Sequence, residues 1–182
     1  AHNYTAFTGH SRDARTSQGQ VTFALFEGNT DYGQLVITDG ANKPFLFSMT
    51  GTGNLTTRTF FAQEVTVSGS IAPKVCAIHD KHLIVAGAPT AKNTVFYSTN
   101  LDPSSFSGTG SGSIVLPDQV VGIKSFRDDL IIFCRNSIHK LININDSNNI
   151  AVVPVTQNVG CLSSHSIQEI GGDLVFLSPD GI

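Results

Sequence analysis

The chain has little charge, little sulfur and no tryptophan, and each shortage closes off a class of function. Only 14% of residues are charged and the formal net charge is −3. Non-specific affinity for nucleic acid needs clustered Lys and Arg. Here the basic residues are scattered, and Arg12 with Arg15 is the nearest approach to a cluster. Direct nucleic-acid binding is therefore not expected. The longest apolar run, Leu130-Ile131-Ile132-Phe133-Cys134, falls far short of the roughly 20 residues a membrane span requires, and the first residues show no basic-then-apolar leader. No membrane insertion is expected either. Three cysteines, Cys76, Cys134 and Cys161, are odd in number and far apart, which speaks against a disulfide scaffold and for assembly in a reducing cytoplasm. Each adjoins an apolar stretch or a turn and reads as a small buried side chain.

Helical periodicity is missing as well. No window keeps apolar residues at i, i+3, i+4 and i+7, whereas short Val/Ile/Leu/Phe runs bounded by Gly, Asn, Asp, Ser and Pro recur throughout. The 17 glycines and seven prolines punctuate those runs as a chain of many tight turns requires. The expected fold class is all-β.

The runs also repeat. In Tyr32-Gly33-Gln34-Leu35-Val36-Ile37, Asp80-Lys81-His82-Leu83-Ile84-Val85, Arg127-Asp128-Asp129-Leu130-Ile131-Ile132 and Gly171-Gly172-Asp173-Leu174-Val175-Phe176, a polar turn leads into Leu and two large apolar residues. Leu35, Leu83, Leu130 and Leu174 follow one another at 48, 47 and 44 residues. A period in the forties with about four strands per unit is the spacing of propeller blades. One such meander cannot bury both of its faces, and stacking beside its neighbours does so. The expected architecture is a partial β-propeller of three to four antiparallel blades, with an ordinary β-sandwich or barrel as the alternative. Approximate blade spans are 21–70, 71–116, 117–160 and an incomplete 161–182, after an irregular arm or incomplete blade at 1–20. Residues 102–113, rich in Gly and Ser, read as a connection outside the stack, with Phe106 as the anchor that holds it down. Leu174 to Ile182 stops just after a Pro-Asp-Gly turn signal, so the chain is expected to be a piece of something longer.

Further pieces occur in a fixed order: His82-Leu-Ile-Val-Ala-Gly87, Asn93-Thr-Val-Phe-Tyr-Ser98, Leu101-Asp-Pro-Ser-Ser-Phe106 and Gly122-Ile-Lys-Ser-Phe-Arg-Asp-Asp-Leu-Ile-Ile-Phe133. Asn136-Ser-Ile-His-Lys-Leu141, Gly160-Cys-Leu-Ser-Ser-His-Ser166 and Gly172-Asp-Leu-Val-Phe-Leu-Ser-Pro-Asp-Gly181 complete the series. From Val75 onward this series resembles the propeller-forming tail proteins of tailed phages, the group that holds the nozzle and stabilisation proteins of short-tailed phages. The resemblance implies a virion structural protein of the tail (nozzle, hub or baseplate), assembled in host cytoplasm. Its implied partners are other tail subunits, in a homo-oligomeric ring, and the family brings no catalytic residues and no cofactor.

The residues themselves offer few rival sites. His79-x-x-His82 with Asp80 is the most tempting metal pair, but zinc needs three or four convergent ligands, and the two histidines read as exposed turn residues. Ser178-Pro179-Asp180-Gly181 resembles part of the Asp-box turn of sialidase-type propellers. That turn is finished by a Trp the chain does not have, and a tight turn explains the segment. Asp39-Gly40 is a hairpin signal of the same kind. Asp128 and Asp129 point in different directions, so they do not form a glycosidase pair. Ser163, Ser164, His165 and Ser166 are adjacent without the G-x-S-x-G elbow of a nucleophile. No enzyme is expected. Arg127, Arg135 and Phe106 are the candidate interface residues, against a solvated-turn reading of the two arginines, and Phe60 and Phe61 are expected in the core between blades, with an exposed interface patch as the alternative. Two rival functions stand beside the structural one. A glycan-binding or glycan-cleaving propeller asks for grooves lined with aromatics, and the chain has three tyrosines and no Trp. A cellular peptide-binding propeller asks for a regular blade signature such as Gly-His…Trp-Asp.

Overall fold

A computed structural model describes residues 20–28, 33–50 and 59–181. The arm expected over residues 1–20 lies, but for its last residue, outside the described residues. The chain is all-β, in consecutive antiparallel meanders. The first sheet is β1 (Thr22–Phe26), β2 (Gln34–Thr38), β3 (Phe45–Thr50) and β4 (Thr59–Glu64). The second is β5 (Val75–His79), β6 (His82–Ala88), β7 (Ala91–Tyr97) and β8 (Gly112–Val115). The third is β9 (Val120–Phe126), β10 (Asp129–Cys134), β11 (Ile138–Ile142) and β12 (Ala151–Thr156). A two-stranded hairpin, β13 (Gln168–Ile170) and β14 (Asp173–Val175), follows.

Strands form where β-branched and aromatic residues alternate, and turn chemistry sets their register. Asp80 and Lys81 both take positive φ, 47° and 63°, between the paired residues His79 and His82. That is the left-handed geometry whose twist suits a two-residue hairpin. Gly171 and Gly172 do the same between Ile170 and Asp173, where the missing Cβ removes the steric cost. Asp39 closes the β2–β3 loop with its carboxylate, which accepts from the Ala41 and Asn42 amides at 3.0 and 2.8 Å.

The sheets stack face to face in series, and three apolar layers lie between them. Phe26, Val36 and Leu46 of the first sheet meet Cys76, Leu83, Val85 and Phe96 of the second. From the opposite face of the second sheet, Ile84, Ala86 and Val95 meet Ile123, Leu130, Ile132 and Leu141 of the third. Phe133 and Ile138, on the far face of the third, meet Leu174 and Phe176, the Phe133 and Phe176 rings lying edge to face at 5.1 Å. The second sheet is therefore buried on both sides, unlike either sheet of a two-layer sandwich. Each connection adds apolar residues to the layer it crosses: Val65, Val67 and Ile71 to the first, Leu116 to the second, Cys161 and Ile167 to the third.

The first strands hold the stack together. β5 packs against β1 and β9, and polar links run along the same line. Thr22 and Thr38 hydroxyls each donate to the Lys74 carbonyl at 3.2 Å, and the Gly40 amide donates to the Pro73 carbonyl at 3.0 Å. Farther out the packing thins: Val115 on β8 and Val155 on β12 are exposed.

Two expectations about loops and aromatics need correction. Gly112 and Ser113 belong to β8 rather than to a loop outside the stack, because pairing with Tyr97 and Phe96 satisfies their backbone groups. Phe61 is exposed, the alternative reading, rather than core; it sits on β4, which among the described residues pairs on one side only. The side chain of Phe60 lies outside what is described.

Candidate interaction surfaces

The four repeat leucines occupy one place in the fold. Leu35, Leu83, Leu130 and Leu174 are each the second residue of the second strand of their unit, on β2, β6, β10 and β14. Successive strand residues point to opposite faces, and the layers record which face is which. Leu83 lies in the layer shared with the first sheet, Leu130 in that shared with the second, and Leu174 packs on that shared with the third. Each of these leucines faces the preceding unit. The residue after it faces the following one: Val36, Ile84 and Ile131 lie in the first, second and third layers.

That polarity leaves two faces over among the described residues. Leu35 points away from the second sheet, beside its cross-strand partner Leu25. Phe23 and Ile37, also paired, extend the same face. Phe23 and Leu25 are 59% and 58% exposed, an unusual state for two large apolar side chains on one strand. At the other end, Val175 points away from the third sheet, and Ile170, on that same face by alternation along the hairpin, is 61% exposed.

The candidate interface residues are dispersed. Arg127 stands at the β9–β10 turn with φ at 55°. Its Nη2 donates to the Gly172 carbonyl at 2.8 Å and its guanidinium lies 4.9 Å from the Phe126 ring, so it braces the hairpin within the chain. Arg135 is exposed at the end of β10, and its amide donates to the Gln119 carbonyl at 2.9 Å. Phe106 differs from an interface residue: it is buried in the first apolar layer, where it fastens the β7–β8 loop to the core. An aromatic ring in an otherwise polar loop gains most by burial beneath that loop.

The histidines also differ from the exposed turn residues expected. His79 and His82 are both buried, because parts of the third sheet cover their hairpin. His79 Nδ1 lies 2.9 Å from the Ser125 hydroxyl on β9. Burial lowers the His79 pKa from its ordinary 6.5, against the charges of Asp80 and Asp129, which raise it. His82 Nδ1 donates to the Ser98 carbonyl at 2.6 Å, and Nε2 lies 2.9 Å from Asn145 Oδ1. Asn100 Nδ2 donates to the same Asn145 at 2.8 Å and to the Asp80 carbonyl at 3.2 Å. This net is a tie between the second and third units. Among the described residues no group of three or more His, Cys, Asp or Glu side chains converges as a metal site. Sequence reasoning missed the net because it joins residues as far apart as His82 and Asn145, separated by 63 positions.

A second polar cluster lies where the start of β9 meets the β10–β11 turn. Asp118 accepts from the Asn136 amide at 2.6 Å and the Gln119 amide at 2.7 Å, and His139 Nε2 lies 3.0 Å from the Ser137 hydroxyl. Ser178 to Gly181 form a closed turn, Ser178 N donating to the Gly181 carbonyl at 2.7 Å. Ser164 and His165 touch at 3.2 Å on an exposed single turn of helix, Ser164–Ser166; no acid in the described contacts orients that imidazole, as a triad requires. Cys76, Cys134 and Cys161 are buried free thiols, and burial raises Cys76 and Cys134 to about 11. No described helix is long and apolar enough to cross a membrane. Among the described residues, the apolar side chains presented outward include Phe23 and Leu25 on the first sheet and Ile170 on the hairpin. Comparison of the sequence with protein-family models and with curated proteins returns no match in either.

Proposed function

We propose that the chain is a run of β-propeller blades in a structural protein of a tailed-phage tail, acting through protein–protein contacts in a ring of subunits. The observation that carries the propeller part is the constant polarity of the stack, in which each unit turns its repeat Leu toward the unit before it. The crowding of β1, β5 and β9, with exposed outer strands, supports blades fanning from a common axis. The virion part is supported by the ordered series of sequence pieces between Val75 and Gly181. Function in such a protein is shape: buried apolar layers keep the blades rigid, and exposed faces and edges meet neighbours. The contacts of His79 with Ser125 and of His82 and Asn100 with Asn145 suit this reading, since they brace one blade against the next.

The test is association with particles. Phage lysates banded on a density gradient are probed with an antibody to this chain, and the band fractions are compared with the soluble pool. The protein is expected in the particle fractions at fixed stoichiometry. Its confinement to the soluble pool would overturn the assignment to the virion.

A further inference from the structure

We infer that the tie between the second and third units is complete only when His82 carries a proton on both ring nitrogens, so that acid strengthens this seam. Four contacts in series make the tie, and each needs one hydrogen. The Ser98 carbonyl lies 2.6 Å from His82 Nδ1, and Asn145 Oδ1 lies 2.9 Å from His82 Nε2. Asn100 Nδ2 reaches Asn145 Oδ1 at 2.8 Å and the Asp80 carbonyl at 3.2 Å. Both ends of the series are backbone carbonyls, which only accept.

A neutral imidazole has one N–H, and one of the four contacts then always fails. With that hydrogen on Nδ1 the Ser98 carbonyl is served, but bare Nε2 faces the Asn145 oxygen. Turning the Asn145 amide over instead sets its NH2 group against that of Asn100. Turning Asn100 over as well sets its oxygen against the Asp80 carbonyl. Moving the ring hydrogen to Nε2 leaves Nδ1 facing the Ser98 carbonyl. An imidazolium donates from both nitrogens and fills all four contacts. The failed contact is costly here, because His82 is buried.

The charged neighbours leave room for that one cation. Asp80 and Lys81, opposite in sign, line a cleft with Asn100 and Asn145. Asp146, beside Asn145, accepts from Asn148 and Asn149 of its own loop. The Tyr97 ring stands edge-on at 6.1 Å. Burial lowers the His79 pKa; Asp80, Asp129 and Asp128 raise it, and His82 lowers it further. The pair of buried histidines thus favours a single charge. The fourth contact is present where His82 is charged and lost as the pH rises and the ring discharges. His79 acts with the opposite sign, so the test isolates Asn145.

Urea midpoints of the unsubstituted chain and of Asn145→Ala are compared at about pH 8 and about pH 5, on either side of ordinary histidine titration. Asn145 is exposed, and His79 titrates in both proteins. The factor by which Asn145 favours the folded state should be about fivefold or more larger at the lower pH, because a charged donor makes the stronger bond. An equal or smaller factor there would overturn the inference. Nitrogen-15 spectra of the unsubstituted folded chain at the lower pH, with His82 assigned through His82→Gln, should show both ring nitrogens protonated and both hydrogens slow to exchange. A neutral His82 ring in those spectra would overturn it as well, whatever the fate of the Asn145 variant.

Discussion

Truncating the repeat leucines one at a time measures how the units stack. Leu83 and Leu130 are fully buried in the first and second layers, whereas Leu35 and Leu174 are partly exposed at the two ends. Leu→Ala removes three carbons, about 2.4 kcal/mol at about 0.8 kcal/mol per buried methylene. The cavity left between two close-packed sheets adds to that, for a total of about 3–4 kcal/mol at Leu83 or Leu130. Leu35→Ala leaves no closed cavity and should cost about 1 kcal/mol in dilute monomer, with Leu174→Ala between the extremes. Urea denaturation at sub-micromolar protein, followed by far-ultraviolet circular dichroism, reads all four from midpoint and slope. If Leu35→Ala costs as much as Leu130→Ala under those conditions, or Leu130→Ala costs less than about 1 kcal/mol, the polarity drawn for the stack is wrong.

Other perturbations follow from the same geometry. A Cβ at Gly160 would run into the carbonyl of Arg135, so Gly160→Ala should lose about 2 kcal/mol or more through backbone displacement, read as a drop in Tm. The folded state disfavours protonated His79. Stability is therefore full above the unfolded histidine pKa of about 6.5 and falls as pH drops through it toward the lower folded value. His79→Gln should flatten the decline in urea midpoint between about pH 7 and about pH 5, and an unaltered decline would assign it to other groups. With Cys76 and Cys134 pushed up to about 11, the thiolate is about one part in a thousand at about pH 8. Ellman's reagent should then react with them only as fast as the protein opens, and stoichiometric labelling within the mixing time would contradict their burial.

Much of this fold is written in short stretches of sequence. Val75-Cys-Ala-Ile-His79, the turn Asp80-Lys81 and His82-Leu-Ile-Val-Ala86 make a hairpin legible from alternation and turn residues alone, since both act within a few positions. The recurrence of Leu35, Leu83, Leu130 and Leu174 is equally visible, because a repeated unit repeats its buried positions. Burial decided by covering segments was not legible. His79 and His82 look like solvated turn residues until Ser125 and Asn145 arrive from the next unit. Phe61 looks like core until its strand turns out to be an edge. Arg127 looks free until Gly172, 45 positions away, takes its guanidinium.

Sequence by itself determined the all-β class and the strand-and-turn rhythm, because alternation and turn preference are local properties. Only the tertiary structure decided which of each strand's two faces meets which neighbour, and so which apolar residues end in a core and which stay in water. Alternation says that Leu35 and Val36 point opposite ways. It takes a second sheet, packed on one side, to bury Val36 and leave Leu35 beside the open face.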